Sequence, residues 1–133
     1  MPIKTNRKLV LVPAAALALG LAAPAGAGDV ATYDTELKMR DTFPAFHGRV
    51  KSDSDACVEG RKVKLYRKKR SGGNKLLGSD RANSRGKWAV TEAEHGFILK
   101  SGAYFARTPR VIVDDMGLPT ICTRARSQTE VVD

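Results

Sequence analysis

The densest run of charged side chains in this chain is Arg67-Lys68-Lys69-Arg70, with Lys62, Lys64 and Lys75 close by. Adjacent cations repel one another and attract anions, so the run is a candidate contact for an anionic polymer. A teichoic-acid-like polymer, an acidic glycan or a nucleic acid would each fit that charge. Sites of this kind normally add aromatic stacking or directed hydrogen bonds, and only Tyr66 lies beside the run. The same residues also suit an exposed hairpin kept soluble by its charge.

Other reactive types do not assemble into a catalytic pattern. His47 falls on the outward parity of an alternating segment, and His95 sits beside Gly96 in an expected loop. Each reads as a surface histidine. Asp53-Ser54-Asp55 and Asp114-Asp115 lack the spaced carboxylates and glycine of a calcium loop, and read as solvated loops. There is no G-x-S-x-G nucleophile turn, and Gly72-Gly73 belongs to a hairpin rather than a phosphate-binding turn. The expectation is no enzyme, no catalytic or metal-binding residue and no cofactor. A small hydrolase or metal-dependent enzyme using His47 or His95 is the enzymatic alternative.

Cys57 and Cys122 are the two cysteines. A redox pair usually shows C-x-x-C, and zinc needs three or four protein ligands. The pair therefore reads as one structural disulfide. It would close a loop of about 66 residues, worth roughly 4 kcal/mol less any strain.

Disulfides persist outside the cytoplasm, and the start of the chain agrees. Lys4, Arg7 and Lys8 precede an apolar run from Leu9 to Ala23, and Ala25-Gly26-Ala27 supplies a small-x-small cleavage pattern. Residues 1–27 read as a secretory signal peptide. A retained anchor would need about 20 apolar residues, and Pro13, Gly20 and Pro24 weaken such a helix. The expected product is secreted, extracellular or periplasmic, with no membrane span after cleavage. The full chain carries a net charge of +9, and removing the three signal-peptide bases leaves it positive.

Elements that must position these residues are strands. The stretch 28–42 is polar and weakly patterned, and reads as a flexible lead or an edge segment before a folded domain over 43–133. Phe46, Gly48 and Val50 alternate with His47, Arg49 and Lys51, while Val63, Leu65 and Arg67 alternate with Lys64, Tyr66 and Lys68. Trp88 and Val90 share a face. Ala103–Arg107 and Ile121–Val132 complete the set. Such period-2 alternation puts one face on a core and one in water. Ser71-Gly72-Gly73-Asn74 and Asn83-Ser84-Arg85-Gly86 supply turns, with Gly86 suited to a left-handed conformation. The best helical candidate, Thr91 to Leu99, is interrupted by Gly96. Val50, Leu65, Trp88, Val90, Ile98 and Tyr104 form the expected core.

Gly60-Arg61-Lys62-Val63-Lys64-Leu65-Tyr66-Arg67 and Leu77-Gly78-Ser79-Asp80-Arg81-Ala82-Asn83-Ser84-Arg85-Gly86-Lys87-Trp88 resemble the prealbumin-like sandwiches. That group includes transthyretin-like and carboxypeptidase regulatory-like domains. Its members tend to show V-x-V-x-L-[YF], a hairpin, then T-[DN]-x-x-G-x-[YFW]. Ala82 stands where Thr is usual, while Asn83, Gly86 and Trp88 fit. The resemblance covers about residues 46–132. It implies an all-β fold: an antiparallel, Ig-like or prealbumin-like β-sandwich of six to seven strands, as in small secreted bacterial proteins. The Tyr-Arg-Gly-Ser tail of hydroxyisourate hydrolases is absent, since the chain ends Glu130-Val131-Val132-Asp133. The Tyr and His spacing of intradiol dioxygenases is absent too. The combined expectation is an exported, non-enzymatic domain that binds or interacts at the cell exterior, with an anionic surface polymer, a glycan or an envelope protein as partner.

Overall fold

Leu37 and Met39 on one strand, and Phe46 and Val50 on the next, build one wall of the core. The computed structural model describes residues 30–42 and 45–133. The signal peptide expected over 1–27 lies outside the described residues.

Eleven strands occur among the described residues: β1 Ala31–Tyr33, β2 Thr35–Thr42, β3 Ala45–Ser52, β4 Lys62–Lys68, β5 Asn74–Arg81, β6 Lys87–Thr91, β7 Gly102–Thr108, β8 Val111–Asp115, β9 Leu118–Cys122, β10 Ala125–Arg126 and β11 Glu130–Val132. A 3-10 turn, Asp55–Cys57, precedes β4, and a short helix α1, Glu92–His95, follows β6. They form three sheets in the orders β2-β3-β6, β10-β7-β4-β5 (with β11 also on β7) and β1-β9-β8. Pairing is antiparallel except between β1 and β9. The all-β, largely antiparallel class is as the sequence implies. The higher strand count arises because β1 and β2 occupy the stretch before residue 43, β8 adds a strand at Val111–Asp115, and the segment from Ile121 onward breaks into separate short pieces.

Two of these sheets feed one core. Leu37, Met39, Phe46, Val50, Trp88 and Val90 enter it from β2-β3-β6, and Val63, Leu65, Leu77, Tyr104 and Ala106 from the β4-containing sheet. Burying side chains of this size is worth about 1.5–3 kcal/mol each relative to exposure. Tyr104 stacks on Phe46 with ring centroids 4.8 Å apart. Its buried hydroxyl donates to the Lys100 carbonyl at 2.6 Å and accepts from the Lys100 N–H at 3.0 Å, which ties down the loop before β7.

Close approach explains two glycines. A Cβ on Gly48 would overlap the Lys38 carbonyl of the neighbouring strand, so Gly48 lets β2 and β3 meet. Gly86 has φ +80°, and a Cβ there would overlap the Val50 carbonyl. The expected turn closes around it: Gly86 N–H donates to the Asn83 carbonyl, and Asn83 Oδ1 accepts from Arg85 and Lys87 N–H.

Four sequence expectations narrow or change. Of the two readings of the stretch 28–42, the strands take the edge one: β1 and β2 lie there from residue 31 on, with β2 as the edge strand of its sheet. Leu37 and Met39 carry its core contacts among the described residues, so the flanking charges hide a strand that packing demands. Ile98 is 71% exposed rather than core; Gly96 in a left-handed conformation caps α1 and redirects the chain so that Phe97 and Leu99 pack inward instead. His95 is not a loop residue. It ends α1, which Thr91 caps, its Oγ1 accepting the Glu94 N–H and donating to the Glu94 carboxylate, and the His95 ring nitrogens meet the Thr91 and Ser79 carbonyl oxygens at 3.2 and 2.9 Å. Finally, Ile121–Val132, expected as one strand segment, divides: β10 and β11 pair with β7, whereas Cys122 ends β9 in a different sheet.

Cys57 and Cys122 are bonded, with Cα atoms 5.4 Å apart and both side chains fully buried. Beside them lies Arg61, only 3% exposed. Its guanidinium donates to Thr35 Oγ1 at 2.9 Å and to the carbonyls of Cys57, Pro109 and Thr123 at 3.0 Å each. Burial pushes its pKa down from the ordinary arginine value, yet arginine stays protonated in proteins. One side chain thus joins β2, the 3-10 turn, the β7–β8 connection and the segment after β9.

Candidate anion-binding face

Strand register sorts the basic residues by face. On β4, Val63 and Leu65 point into the core, which leaves Lys62, Lys64, Tyr66 and Lys68 on the outer side. Pairing carries that face across the sheet. Lys62 lies opposite Arg81 on β5, Lys64 and Tyr66 lie opposite Arg107 and Phe105 on β7, and Arg107 lies opposite Arg126 on β10. Six cations therefore share one face, and no Asp or Glu occupies an outward position of these strands among the described residues. None of the six forms a salt bridge among the described residues.

An aromatic pair lies at the centre. Phe105 points outward yet is fully buried, because Tyr66 stacks on it at 5.4 Å and 17° and cations cover the rest. The Arg126 guanidinium sits 3.9 Å from the Phe105 ring centre, and Arg107 sits 5.4 Å from Phe105 and 5.3 Å from Tyr66. Lys68 Nζ reaches to 6.0 Å. Each such contact is worth about 0.5–1 kcal/mol at an exposed site. Arg107 and Arg126 lie against the rings yet remain exposed, so their N–H donors can make bidentate contact with phosphate, sulfate or carboxylate.

The run singled out in sequence divides over this frame. Lys68 belongs to the face. Arg67 takes the opposite parity, across from Tyr104. Lys69 and Arg70 are exposed in the β4–β5 connection, where Gly72 N–H donates to the Lys69 carbonyl and Lys69 N–H to the Gly73 carbonyl. Arg107, Arg126 and Phe105 went unseen in sequence. Their one signal is the i, i+2 spacing of Phe105 and Arg107 on a strand; Arg126 reaches them only through pairing.

A second basic region covers the outer side of β2-β3-β6. Lys38, Arg40, His47, Arg49 and Lys87 surround an open cavity of about 690 Å³ above the small residues Gly48 and Ala89. His47 is half-buried there, on the outward parity of the central strand, as the alternation implies. Asp80 adds a carboxylate, which accepts the Ala89 N–H at 2.8 Å, and Glu36 pairs with Lys38 at 3.4 Å. Trp88 lines this cavity while its ring is buried in the core as expected, and its Nε1 has no partner among the described residues.

The acidic pairs stay apart. Asp114 accepts the Gly117 N–H in a hairpin, and among the described residues no group of three or more His, Cys, Asp or Glu is placed to hold a metal ion. No helix among them is long and apolar enough to cross a membrane. Comparison of the chain with family models, curated proteins and solved structures gives no match.

Proposed function

We propose that this chain is an exported, non-enzymatic binding module of prealbumin-like sandwich type, whose β10-β7-β4-β5 face holds an anionic polymer at the cell exterior. The observation that carries this reading is a set of like-charge neighbours. Lys62 opposite Arg81, Lys64 opposite Arg107, and Arg107 opposite Arg126 are direct cross-strand pairs of equal sign. Such pairs oppose sheet formation, and a sheet optimised for stability alone would alternate signs. An anionic ligand removes the repulsion and explains why it is kept.

The size of the face favours a polymer over a single ion. Four strands at about 4.8 Å spacing and seven residues at about 3.3 Å each span roughly 15 by 20 Å, enough for several charged repeats. A sulfated or carboxylated glycan and a phosphodiester polymer share the chemistry that this face meets. The disulfide and the signal-like first 27 residues support export, and the first sheet-turn-Trp88 segment supports the prealbumin-like resemblance.

The test is elution from heparin resin in a rising salt gradient, comparing the wild type with Arg107→Glu/Arg126→Glu. The pair should elute at clearly lower salt. Equal elution of the two proteins would remove this face as the site.

A further inference from the structure

β8 offers a free backbone edge with an uncommon charge pattern. It is the outer strand of the sheet β1-β9-β8, and among the described residues nothing pairs with its far side. Met116 and Gly117 form a two-residue turn between β8 and β9, with φ of 54° and 85°. In such a hairpin the closing residues Asp115 and Leu118 exchange hydrogen bonds, and so do Val113 with Thr120 and Val111 with Cys122. The N–H and C=O groups of Ile112 and Asp114 then point away from β9, and Arg110 adjoins them immediately before β8. Natural edges are usually blunted by lysine, proline or a bulge. Residues 111–115 contain none of these, and the register with β9 runs unbroken. Arg110 and Asp114 are exposed, and Ile112 is 57% exposed. The disulfide holds the other face of the sheet, through Cys122 opposite Val111.

We propose that this edge pairs with the same edge of a second copy, antiparallel, about a two-fold axis through Ile112. An axis normal to the sheet keeps every side chain on its own face, so each residue must meet one an even number of positions away. Centring on Ile112 sets Ile112 against Ile112 of the second copy and Arg110 against Asp114, twice. Centring on Arg110 or Asp114 opposes equal charges, and centring on Val113 sets Ile112 against a carboxylate. Only the Ile112 register joins an apolar centre to two opposite-charge pairs, each worth a few tenths to about 1 kcal/mol. Two strands of this length bury less than a standard interface of about 1,200–2,000 Å², so the dimer is weak and dependent on concentration.

Analytical ultracentrifugation of the purified protein over a range of concentrations tests this. The wild type should pass from monomer to dimer as concentration rises. Arg110→Asp should weaken dimerisation about tenfold, and Arg110→Asp/Asp114→Arg should restore it. Paired residues across such an axis have Cα atoms about 5.5 Å apart, within disulfide range, so Ile112→Cys should form a covalent dimer on mild oxidation. A wild type that stays monomeric throughout, or a dimer that Arg110→Asp leaves unchanged, would overturn the proposal. Monomeric Ile112→Cys after oxidation would overturn the register.

Discussion

Arg61 and the pair Arg107 and Arg126 carry the same guanidinium in opposite settings. Arg61 is buried and spends its donors on four oxygens from four segments. Arg107 and Arg126 are exposed, lie over the Phe105 ring, and leave their donors to solvent. A buried cation whose hydrogen bonds are satisfied within the chain holds the fold; a cation fixed in place with open donors can hold a ligand. Positive charge in this chain therefore has two separable uses, and hydrogen-bond partners tell them apart where composition does not.

Substitutions should divide along the same line. Arg61→Ala leaves three carbonyls and a hydroxyl without their donor and should lower stability by about 4 kcal/mol in urea denaturation, with the affinity of the folded protein for polyanion unchanged. Arg61→Lys should recover less than half, because an ammonium cannot reach four acceptors spread around a planar fork. Cys57→Ser/Cys122→Ser should cost about 3 kcal/mol by the same measurement, again without loss of binding. Arg107→Glu/Arg126→Glu should act mainly the other way: affinity for a sulfated polymer falls about tenfold or more, while unfolding free energy falls by about 2 kcal/mol, since three ring contacts over Phe105 and Tyr66 are lost. Lys69→Ala/Arg70→Ala should be the mildest. Both residues lie in the β4–β5 connection, so affinity should change less than about twofold.

Much of the frame was legible in the sequence because its signals are local. The alternation through Val63 and Leu65, the Asn83–Gly86 turn and the burial of Trp88 each rest on neighbours in the chain. The disulfide followed from there being two cysteines. β2 was legible only as one of two alternatives, because Leu37 and Met39 stand alone among charges, and the core behind them makes a strand of that segment. Ile98 was misplaced because a left-handed glycine two residues earlier resets the parity. Arg61 reads like any base between Gly60 and Lys62, since its acceptors come from positions up to 62 residues away. Phe105 sits in the apolar stretch Tyr104-Phe105-Ala106, where sequence alone does not say which ring faces the core. Arg126 meets Phe105 only after β10 pairs with β7. Of the basic run first noticed, Lys68 alone reached the face, because strand parity and the turn sent its neighbours elsewhere.

The β2-β3-β6 cavity offers a rival surface of the same sign, and the most direct measurement separates the two. Isotope-labelled protein titrated with a short sulfated glycan would be followed by amide chemical shifts, residue by residue. The account predicts saturable shifts on β4, β7 and β10, centred on Lys64, Phe105, Arg107 and Arg126. Shifts centred instead on Lys38, Arg49 and Lys87, or no shifts at all, would contradict it.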